Sequence, residues 1–316
     1  MKENVKILID KIKKAKSIAI SGHKNPDGDS LCSALALMRL IELNFNKKPI
    51  VIYDGHVPMD LAKIPLRNDA IFHTHVPEDA HYDLYILVDY GIKKNLGGAT
   101  KFVDAADFVV EFDHHYNEEP VGNLCFDNQD KAATSQIIYD VVRAAGWKTD
   151  ESVISLLTLA IITDTGNFKF VHNSDVFQDA ASLVDAGANM IDLVNILNNK
   201  DKKAVQAESR AVANAEFFMK GRLAIATINN DDYKKLDGRG EIVMRLLGEI
   251  RGVEFVVLLK EHKPDQVGVS FRSRSVPINQ IAESFGGGGH LYAAGAIIMD
   301  TMDNVREKVK NAFKGM

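Results

Sequence analysis

The sequence predicts an α/β protein with two domains. The N-terminal domain is expected to contain a mostly parallel sheet with helices on both faces, and the C-terminal domain a smaller α/β arrangement. Two observations carry this prediction. Apolar, β-branched runs alternate with segments of helical periodicity through the first half of the chain, which is typical of a parallel sheet. A shorter α/β pattern then follows toward the C-terminus, and 316 residues suffice for about two domains.

The N-terminal elements follow from the spacing of apolar residues. Val5, Leu8 and Ile12 recur at helical spacing, so a helix is predicted over residues 3–15. Short apolar runs followed by polar turn residues predict strands over 17–21, 49–54, 84–88 and 108–112. The remaining periodic segments predict helices over 30–44, 132–146 and 151–163.

The C-terminal part begins after a polar, mainly helical stretch over 174–220, in which 198–203 most resembles a linker. The strands predicted beyond it lie near 223–228, 254–260, 266–272 and 294–299. The helices predicted there lie near 239–250, near 277–284 and from 302. The expected domain organisation is therefore a catalytic domain over 1–197, a linker over 198–215 and a second domain over 216–316.

Composition restricts the function and the location. Hydrophobic residues make up 46% of the chain and charged residues 26%, as in an ordinary soluble globular protein. A net charge of −5 argues against binding long nucleic acid through a broad basic surface, but it allows a short anionic substrate at a local basic site. Two cysteines in no metal-binding spacing, no signal peptide and no apolar run of membrane-spanning length predict a cytoplasmic protein.

Asp113, His114 and His115 end the predicted strand over 108–112. Burying a carboxylate beside two imidazoles is unfavourable unless a partner compensates the charge, and a divalent cation is a common partner. In open α/β sheets, ligands bind at the carboxyl ends of the strands, where this triplet would lie. Taken alone, the triplet is equally compatible with a salt-linked turn on the surface.

Four predicted strand-end segments carry acidic or imidazole groups. Their residues are His23, Asp27 and Asp29; Asp89; Asp113, His114 and His115; and Asp164. Carboxyl ends of parallel strands converge on one edge, so these groups can meet. Imidazole and carboxylate suit Mn²⁺ without excluding Mg²⁺, Zn²⁺, Co²⁺ or Fe²⁺. The number of groups fits two divalent metal ions that share one carboxylate, an arrangement used in phosphoryl hydrolysis.

Two C-terminal segments have the character of an anion site. Arg272 and Arg274 end a predicted strand among serines, and Gly286 to Gly289 precede His290. Glycine lets backbone N–H groups approach an anion closely, and arginine binds phosphate bidentately. A flexible turn beside a solvated, charged strand is the alternative. The anion-binding interpretation gains weight from the metal site predicted elsewhere in the chain.

The motif order His-x-x-x-Asp-x-Asp, Asp, Asp-His-His, Asp and Gly-Gly-Gly-Gly-His resembles that of the DHH phosphoesterases with a DHH-associated C-terminal domain. The resemblance covers nearly the whole chain. The compact length of the chain is most similar to that of the bacterial bifunctional oligoribonucleases, or nano-RNases. The resemblance implies an enzyme that cleaves very short RNA from an end and removes the 3′-phosphate of 3′-phosphoadenosine 5′-phosphate, with its active site in the cleft between the domains.

The same resemblance implies a role for each matching residue. The ligands implied for one Mn²⁺ are His23, Asp27 and Asp89. Those implied for a second Mn²⁺ are Asp29, His114, Asp164 and the bridging Asp89. His115 would face the scissile phosphate and Asp113 would orient its neighbours. The residues implied for substrate binding are Arg272, Arg274, Gly287, Gly288, Gly289 and His290. Leu291 and Tyr292 depart from the polar or basic residues frequent in the family, which bears on substrate preference.

Other functions remain open at this point. A phosphodiesterase of linear or cyclic dinucleotides shares the same fold, and an inorganic pyrophosphatase shares the metal ligands. A nucleotide-binding regulator without catalysis would have no evident need for the complete ligand set. The expected partners are short oligonucleotides or nucleotides, with no long duplex nucleic acid and no membrane, and a homodimer is one candidate assembly.

Overall fold

The structure is a computed structural model, which describes the chain except for His172, Asn199, residues 237–239 and Gly315, and except for the side chains of Met59, Asp60 and His290. The chain divides into two compact units, Met1–Asn199 and Lys200–Met316. Residues 198–215, predicted as a linker, include helix α8 (Lys202–Ala213) of the second unit.

Six parallel strands form the sheet of the first unit. They are β1 (Ile18–Ser21), β2 (Ile50–Tyr53), β3 (Ala70–Phe72), β4 (Leu84–Val88), β5 (Val109–Asp113) and β6 (Leu124–Asp127). Their order across the sheet is β3-β2-β1-β4-β5-β6. Every residue of β1, β4 and β5 is buried, as expected for parallel strands covered on both faces.

Helices flank this sheet, which confirms the predicted fold class. They are α1 (Lys2–Lys14), α2 (Gly28–Phe45), α3 (Thr100–Asp104), α4 (Thr134–Ala145), α5 (Glu151–Asp164), α6 (Asp175–Asp185) and α7 (Met190–Leu197). The larger core joins alternate strand residues such as Ile20 and Ile86 to α1, α2, α4 and α5. The intervening residues, such as Tyr85 and Leu87, pack on the other face against a second core that includes α3.

The second unit contains a mixed six-stranded sheet. Its strands are β7 (Glu216–Phe218), β8 (Leu223–Ile228), β9 (Phe255–Lys263), β10 (Gln266–Ser273), β11 (Gly288–His290) and β12 (Ala293–Ile298), in the order β11-β12-β10-β9-β8-β7. Its other helices are α9 (Asn230–Lys235), α10 (Glu241–Glu249), α11 (Asn279–Ser284) and α12 (Met302–Ala312). Only β8 and β9 pair in parallel among these strands. Residues of α11 and α12 pack on one face and those of α8 and α10 on the other.

The structure contains short strands that the pattern did not predict, namely β3, β6, β7 and β11. Each spans three or four residues, too few to display a clear period. Across the described residues, no single helix is both long and apolar enough to cross a membrane. Helices α6 and α7 have the length and apolar composition of a membrane-spanning helix only when taken as a pair. The pair is bent by 112° at its break.

Candidate metal centre

Residues predicted to bind metal lie at the carboxyl edge of the sheet of the first unit. His23 lies in the loop after β1, Asp89 directly follows β4, and His114 directly follows β5. The strand order reverses between β1 and β4, since the chain builds outward from β1 in one direction and from β4 in the other. Connections diverge at such a point and leave a crevice, which is where open α/β sheets bind ligands.

Helix α2 begins in this crevice and supplies two carboxylates. Asp27 is its N-cap, with Oδ1 accepting from the Ser30 N–H at 3.0 Å, and Asp29 lies in its first turn. Carboxylates at these positions are stabilised by the positive end of the helix dipole. The polar segment that follows β1 therefore ends in a helix N-terminus.

Asp164 reaches the crevice from a helix. Its assignment to a strand end was wrong, because Asp164 is the last residue of α5. Its Oδ2 lies 3.2 Å from Nε2 of His114. A carboxylate at a helix C-terminus is repelled by the free carbonyl groups, so a positive group nearby is needed to stabilise it.

Asp89 lies between the two histidines. Its Oδ2 is 3.8 Å from Nε2 of His23, and its Oδ1 is 3.5 Å from Nε2 of His114. His23 Nε2 is also 3.6 Å from Asp27 Oδ1. Ligand atoms close enough to hold a metal ion form two groups, one of His23, Asp27 and Asp89 and the other of Asp29, His114 and Asp164. A third group overlaps both and consists of Asp89, His114 and His115. Asp89 presents a different oxygen to each of the first two groups, as a bridging carboxylate would.

Backbone carbonyls fix the protonation of both histidines. Nδ1 of His23 lies 2.9 Å from the carbonyl oxygen of Lys24, and Nδ1 of His114 lies 3.2 Å from that of Lys131. A carbonyl only accepts, so Nδ1 must donate in each case, and the neutral ring then turns the lone pair of Nε2 toward the carboxylates. This second contact is the usual companion of a metal-binding histidine.

Two observations fit a cation at this position. Nε2 of His114 is buried and has no hydrogen-bond partner among the described residues. The Asp89 backbone has a φ of +50°, in the left-handed region, which is uncommon for a residue other than glycine and typical of functional sites. The donor set of imidazole nitrogen and carboxylate oxygen suits a divalent ion such as Mn²⁺.

Asp113 does not belong to any of these groups and instead orients His115. Its Oδ1 accepts from the His115 backbone N–H at 2.9 Å and lies 2.8 Å from His115 Nδ1. Its Oδ2 accepts from the N–H groups of Tyr90 and Gly91 at 2.9 and 2.7 Å. Burial acts to raise the pKa of Asp113, but the hydrogen bonds from His115 and Gly91 outweigh it and lower the pKa. The ionised Asp113 thus leaves Nε2 of His115 available, on a side chain that is 46% exposed.

Crowded carboxylates shift the pKa values of His23, His114 and Asp164 upward. Burial acts to lower the pKa of His114, but the surrounding Asp89, Asp29 and Asp164 raise it to about 10. Likewise, against the effect of burial, Asp27 and Asp89 raise the pKa of His23 to about 9. Burial and the charge of Asp89 raise the pKa of Asp164 to about 7. Without a metal ion, the centre therefore retains protons near neutral pH.

Metal binding is expected to release protons at pH 7. The raised pKa values of His23 and His114 stabilise the metal-free fold fully below pH 6.5, and this stability is lost as the pH rises through about 9 and 10. A cation requires the deprotonated ligands, so its apparent affinity should increase from pH 6 to pH 8. Calorimetric titrations with Mn²⁺ in buffers of different ionisation enthalpy would count the protons. An affinity independent of pH would contradict these ligands.

The second unit holds the residues predicted to bind substrate, and the structure distinguishes among them. Arg272 lies near the end of β10 and is exposed, whereas the Arg274 guanidinium donates to the Gly248 and Ile250 carbonyls at the end of α10. Arg274 therefore caps a helix, and we leave it out of the substrate site. The side chain of His290, also predicted, lies outside the described residues.

The glycines of β11 and Gly287, which precedes it, have a packing role. A Cβ on Gly287 would collide with the Gly295 carbonyl of β12, and one on Gly289, whose φ is +143°, with that of Ala293. Around Gly288 a Cβ would meet no described atom within 4 Å. The motif thus lets β11 approach β12 closely and leaves open space at the Cβ position of Gly288.

A hollow of about 450 Å³ opens beside these glycines. Six of the residues that line it are Lys260, His262, Gly268, Ser270, Gly287 and Gly295. Lys260 is partly buried, and both burial and the charge of Arg272 lower its pKa, with Glu241 opposing them. Glu241 offsets part of this repulsion, and a phosphate in the hollow would offset more of it, so Lys260 is a candidate phosphate-binding residue.

Lys260 and Thr134 were not predicted from the sequence. Lys260 follows the apolar run of β9. A charged residue within a predicted strand was the sequence signal that could have identified it. Thr134 Oγ1 donates to Asp89 Oδ1 at 3.3 Å, and the Thr134 N–H donates to Asp29 Oδ2 at 2.6 Å. No local pattern marks Thr134, because its partners lie 45 and 105 residues away.

Comparisons with known proteins agree with this architecture. The model of the DHH family N-terminal domain matches residues 17–162, and that of the DHHA1 domain matches residues 220–315. The chain is 27% identical to the bifunctional oligoribonuclease and PAP phosphatase NrnA of Thermus thermophilus over 300 residues. These residues cover 94% of this chain and 89% of that protein.

Two further proteins are similar over most of this chain. The cyclic-di-AMP phosphodiesterase PdeA of Listeria monocytogenes is 27% identical over 315 residues, which cover 94% of this chain and 47% of that protein. The crystal structure of an exopolyphosphatase-related protein from Bacteroides fragilis superposes with a TM-score of 0.89 at 20% identity, covering 99% of this chain and 96% of that one. That likeness supports the fold. The chain therefore belongs to the DHH family, with an N-terminal DHH domain followed by a DHHA1 domain.

Proposed function

We propose that the protein is a metal-dependent phosphoesterase that degrades very short oligoribonucleotides to mononucleotides and dephosphorylates 3′-phosphoadenosine 5′-phosphate. The observation that carries the proposal is the position of Asp89, whose two oxygens face the Nε2 atoms of His23 and His114 separately. The similarity to NrnA of Thermus thermophilus over nearly the whole chain supports this choice of substrate.

In this proposal the two groups each hold a divalent cation, with Mn²⁺ the ion that best suits their donors. His23, Asp27 and Asp89 would hold one. Asp29, His114 and Asp164 would hold the other, together with Asp89. When bound, such a pair lowers the pKa of a water molecule and neutralises charge on the phosphoryl oxygens.

The protein's own contribution to the reaction is orientation and proton transfer. Asp113 fixes the His115 ring through Nδ1, so Nε2 can hold a proton and donate it to the leaving oxygen. In the second unit, Arg272, Lys260 and the backbone around Gly287, Gly288 and Gly289 would bind the terminal phosphate or base, as would His290. Binding one end in this way favours short substrates.

The proposal is tested by hydrolysis, in the presence of Mn²⁺, of a ladder of end-labelled RNAs of two to twenty nucleotides. We expect rapid loss of the two- to five-nucleotide species to mononucleotides and slow loss of the longer ones. Equal rates at all lengths, or no cleavage, would contradict it.

A phosphodiesterase of linear or cyclic dinucleotides is the second candidate, favoured by the similarity to PdeA of Listeria monocytogenes. Parallel assays on pApA and on cyclic di-AMP separate the two. Faster hydrolysis of the cyclic compound than of the linear one would favour the second candidate.

Replacing Lys260 with methionine is expected to raise KM for pApA about 10- to 100-fold with little change in kcat, since a charge-assisted contact contributes about 1.5–3 kcal/mol. Lys263→Met is the matched control, because Lys263 lies on the same strand and is exposed. If both variants have the same KM as the unmodified protein, Lys260 does not bind substrate.

A further inference from the structure

A cluster of charges around the buried Lys131 and Asp179 side chains lies beside the metal centre. The Lys131 ammonium is on a side chain only 8% exposed and lies 3.1 Å from Asp140 Oδ2 and 3.5 Å from Asp179 Oδ2. Arg143 Nη1 lies 2.8 Å from Asp179 Oδ1. Gln136 Nε2 donates to Asp179 Oδ2 at 2.7 Å. The buried Asp179 thus joins α6 to α4 and to the loop before it.

Stability alone is a weak explanation for such a cluster. Removing charges from water costs free energy that their mutual attraction often fails to recover, and apolar residues of similar volume are frequently as stable. The cluster does fix one geometry of the backbone over residues 131–135. Lys131 belongs to this segment, and the neighbouring Ala132 N–H donates to Gln136 Oε1 at 2.8 Å. Gln136 therefore connects the segment to Asp179 a second time.

This segment in turn contacts three residues of the metal centre. Its Lys131 carbonyl accepts from Nδ1 of His114, which determines which ring nitrogen faces the carboxylates. Its Thr134 N–H donates to Asp29, and the Thr134 hydroxyl donates to Asp89. A displacement of the segment would alter all three contacts together.

We propose that Lys131, Gln136 and Asp179 are positioning residues for the metal centre, which act by holding segment 131–135 against Asp29, Asp89 and His114. The inference rests on the proposed metal site. It assigns a role in metal affinity to α6, a helix that supplies no ligand. Hydrogen-bonded residues behind metal ligands typically contribute 10- to 100-fold in affinity or activity.

Calorimetric titration of the full chain with Mn²⁺ tests the proposal. Lys131→Met keeps the backbone carbonyl and removes the ammonium, and Asp179→Asn keeps a similar volume and removes the charge. Each should weaken the binding of at least one Mn²⁺ by about 10- to 100-fold, and Lys131→Arg should restore most of it.

The control is Arg210→Met, which breaks a bidentate ion pair with Asp232 in the second unit. It should leave Mn²⁺ affinity unchanged. If Lys131→Met does not fold, Gln136→Leu replaces it, since it removes both hydrogen bonds without leaving an unpaired charge. Wild-type affinity in the folded cluster variants would overturn the inference. Failure of the unmodified protein to bind Mn²⁺ would instead contradict the metal site itself.

Discussion

Replacing Asp89 with asparagine is expected to lower turnover by about 10³-fold or more and to leave the fold intact. Asparagine tolerates the left-handed backbone that Asp89 adopts at a φ of +50°, so the turn after β4 should form. The amide offers a single neutral oxygen, however, and cannot present one oxygen to the group of His23 and another to the group of His114. The loss should therefore appear both in turnover and in the number of Mn²⁺ bound.

Asp83→Asn is the matched control for this variant. Asp83 immediately precedes the other end of β4, where it accepts from the Lys16 N–H and the Ser17 hydroxyl, away from the metal centre. Hydrolysis of bis(p-nitrophenyl) phosphate, which needs no nucleotide recognition, measures the chemistry alone. An Asp89→Asn enzyme with the turnover of Asp83→Asn would exclude a bridging role for Asp89.

Much of the metal centre could be predicted because it depends on the ends of regular elements. The apolar runs of β1, β4 and β5 mark where each strand ends, and a parallel sheet brings those ends to one edge. His23, Asp89 and His114 were placed together on this ground alone. Asp164 was grouped with the strand ends although residues 151–163 were predicted as a helix, and the structure places it as the last residue of that helix.

The orienting role of Asp113 was implied by the family resemblance, but the backbone groups that take part in orienting these side chains could not be predicted. Asp113 is held by the N–H groups of Tyr90 and Gly91, which any residue could supply. The carbonyl of Lys131 contacts His114 across 17 residues, and nothing in the side chain of Lys131 signals this. Periodicity reports burial and element type, whereas these contacts depend on how loops close over the edge of the sheet.

The glycine motif shows a related limit. The sequence predicted glycines whose backbone N–H groups approach an anion, with a flexible turn as the alternative. The structure adds a packing role, because Gly287 and Gly289 let the chain lie close to β12. Packing and anion binding both require glycine, so the sequence does not distinguish them.

Asp113→Asn is expected to lower kcat by about 10²- to 10³-fold while retaining Mn²⁺ affinity, in contrast to Asp89→Asn. Asp113 accepts from the His115 backbone and from its Nδ1, and also from Tyr90 and Gly91. An amide has one oxygen for these donors, and its NH₂ group would face the others. His115 would then lose its fixed tautomer, which in other His–Asp pairs costs up to about 10⁴-fold in kcat.

A double-mutant cycle with His115→Ala isolates this role. If Asp113 acts through His115, then Asp113→Asn should cost little once the imidazole is absent, and the two effects should be far from additive. Asp127→Asn is the control, because Asp127 pairs with Asp113 in the sheet register but contacts neither His115 nor a proposed ligand among the described residues. Additive losses would show that Asp113 supports the fold at the carboxyl edge of the sheet rather than the orientation of His115.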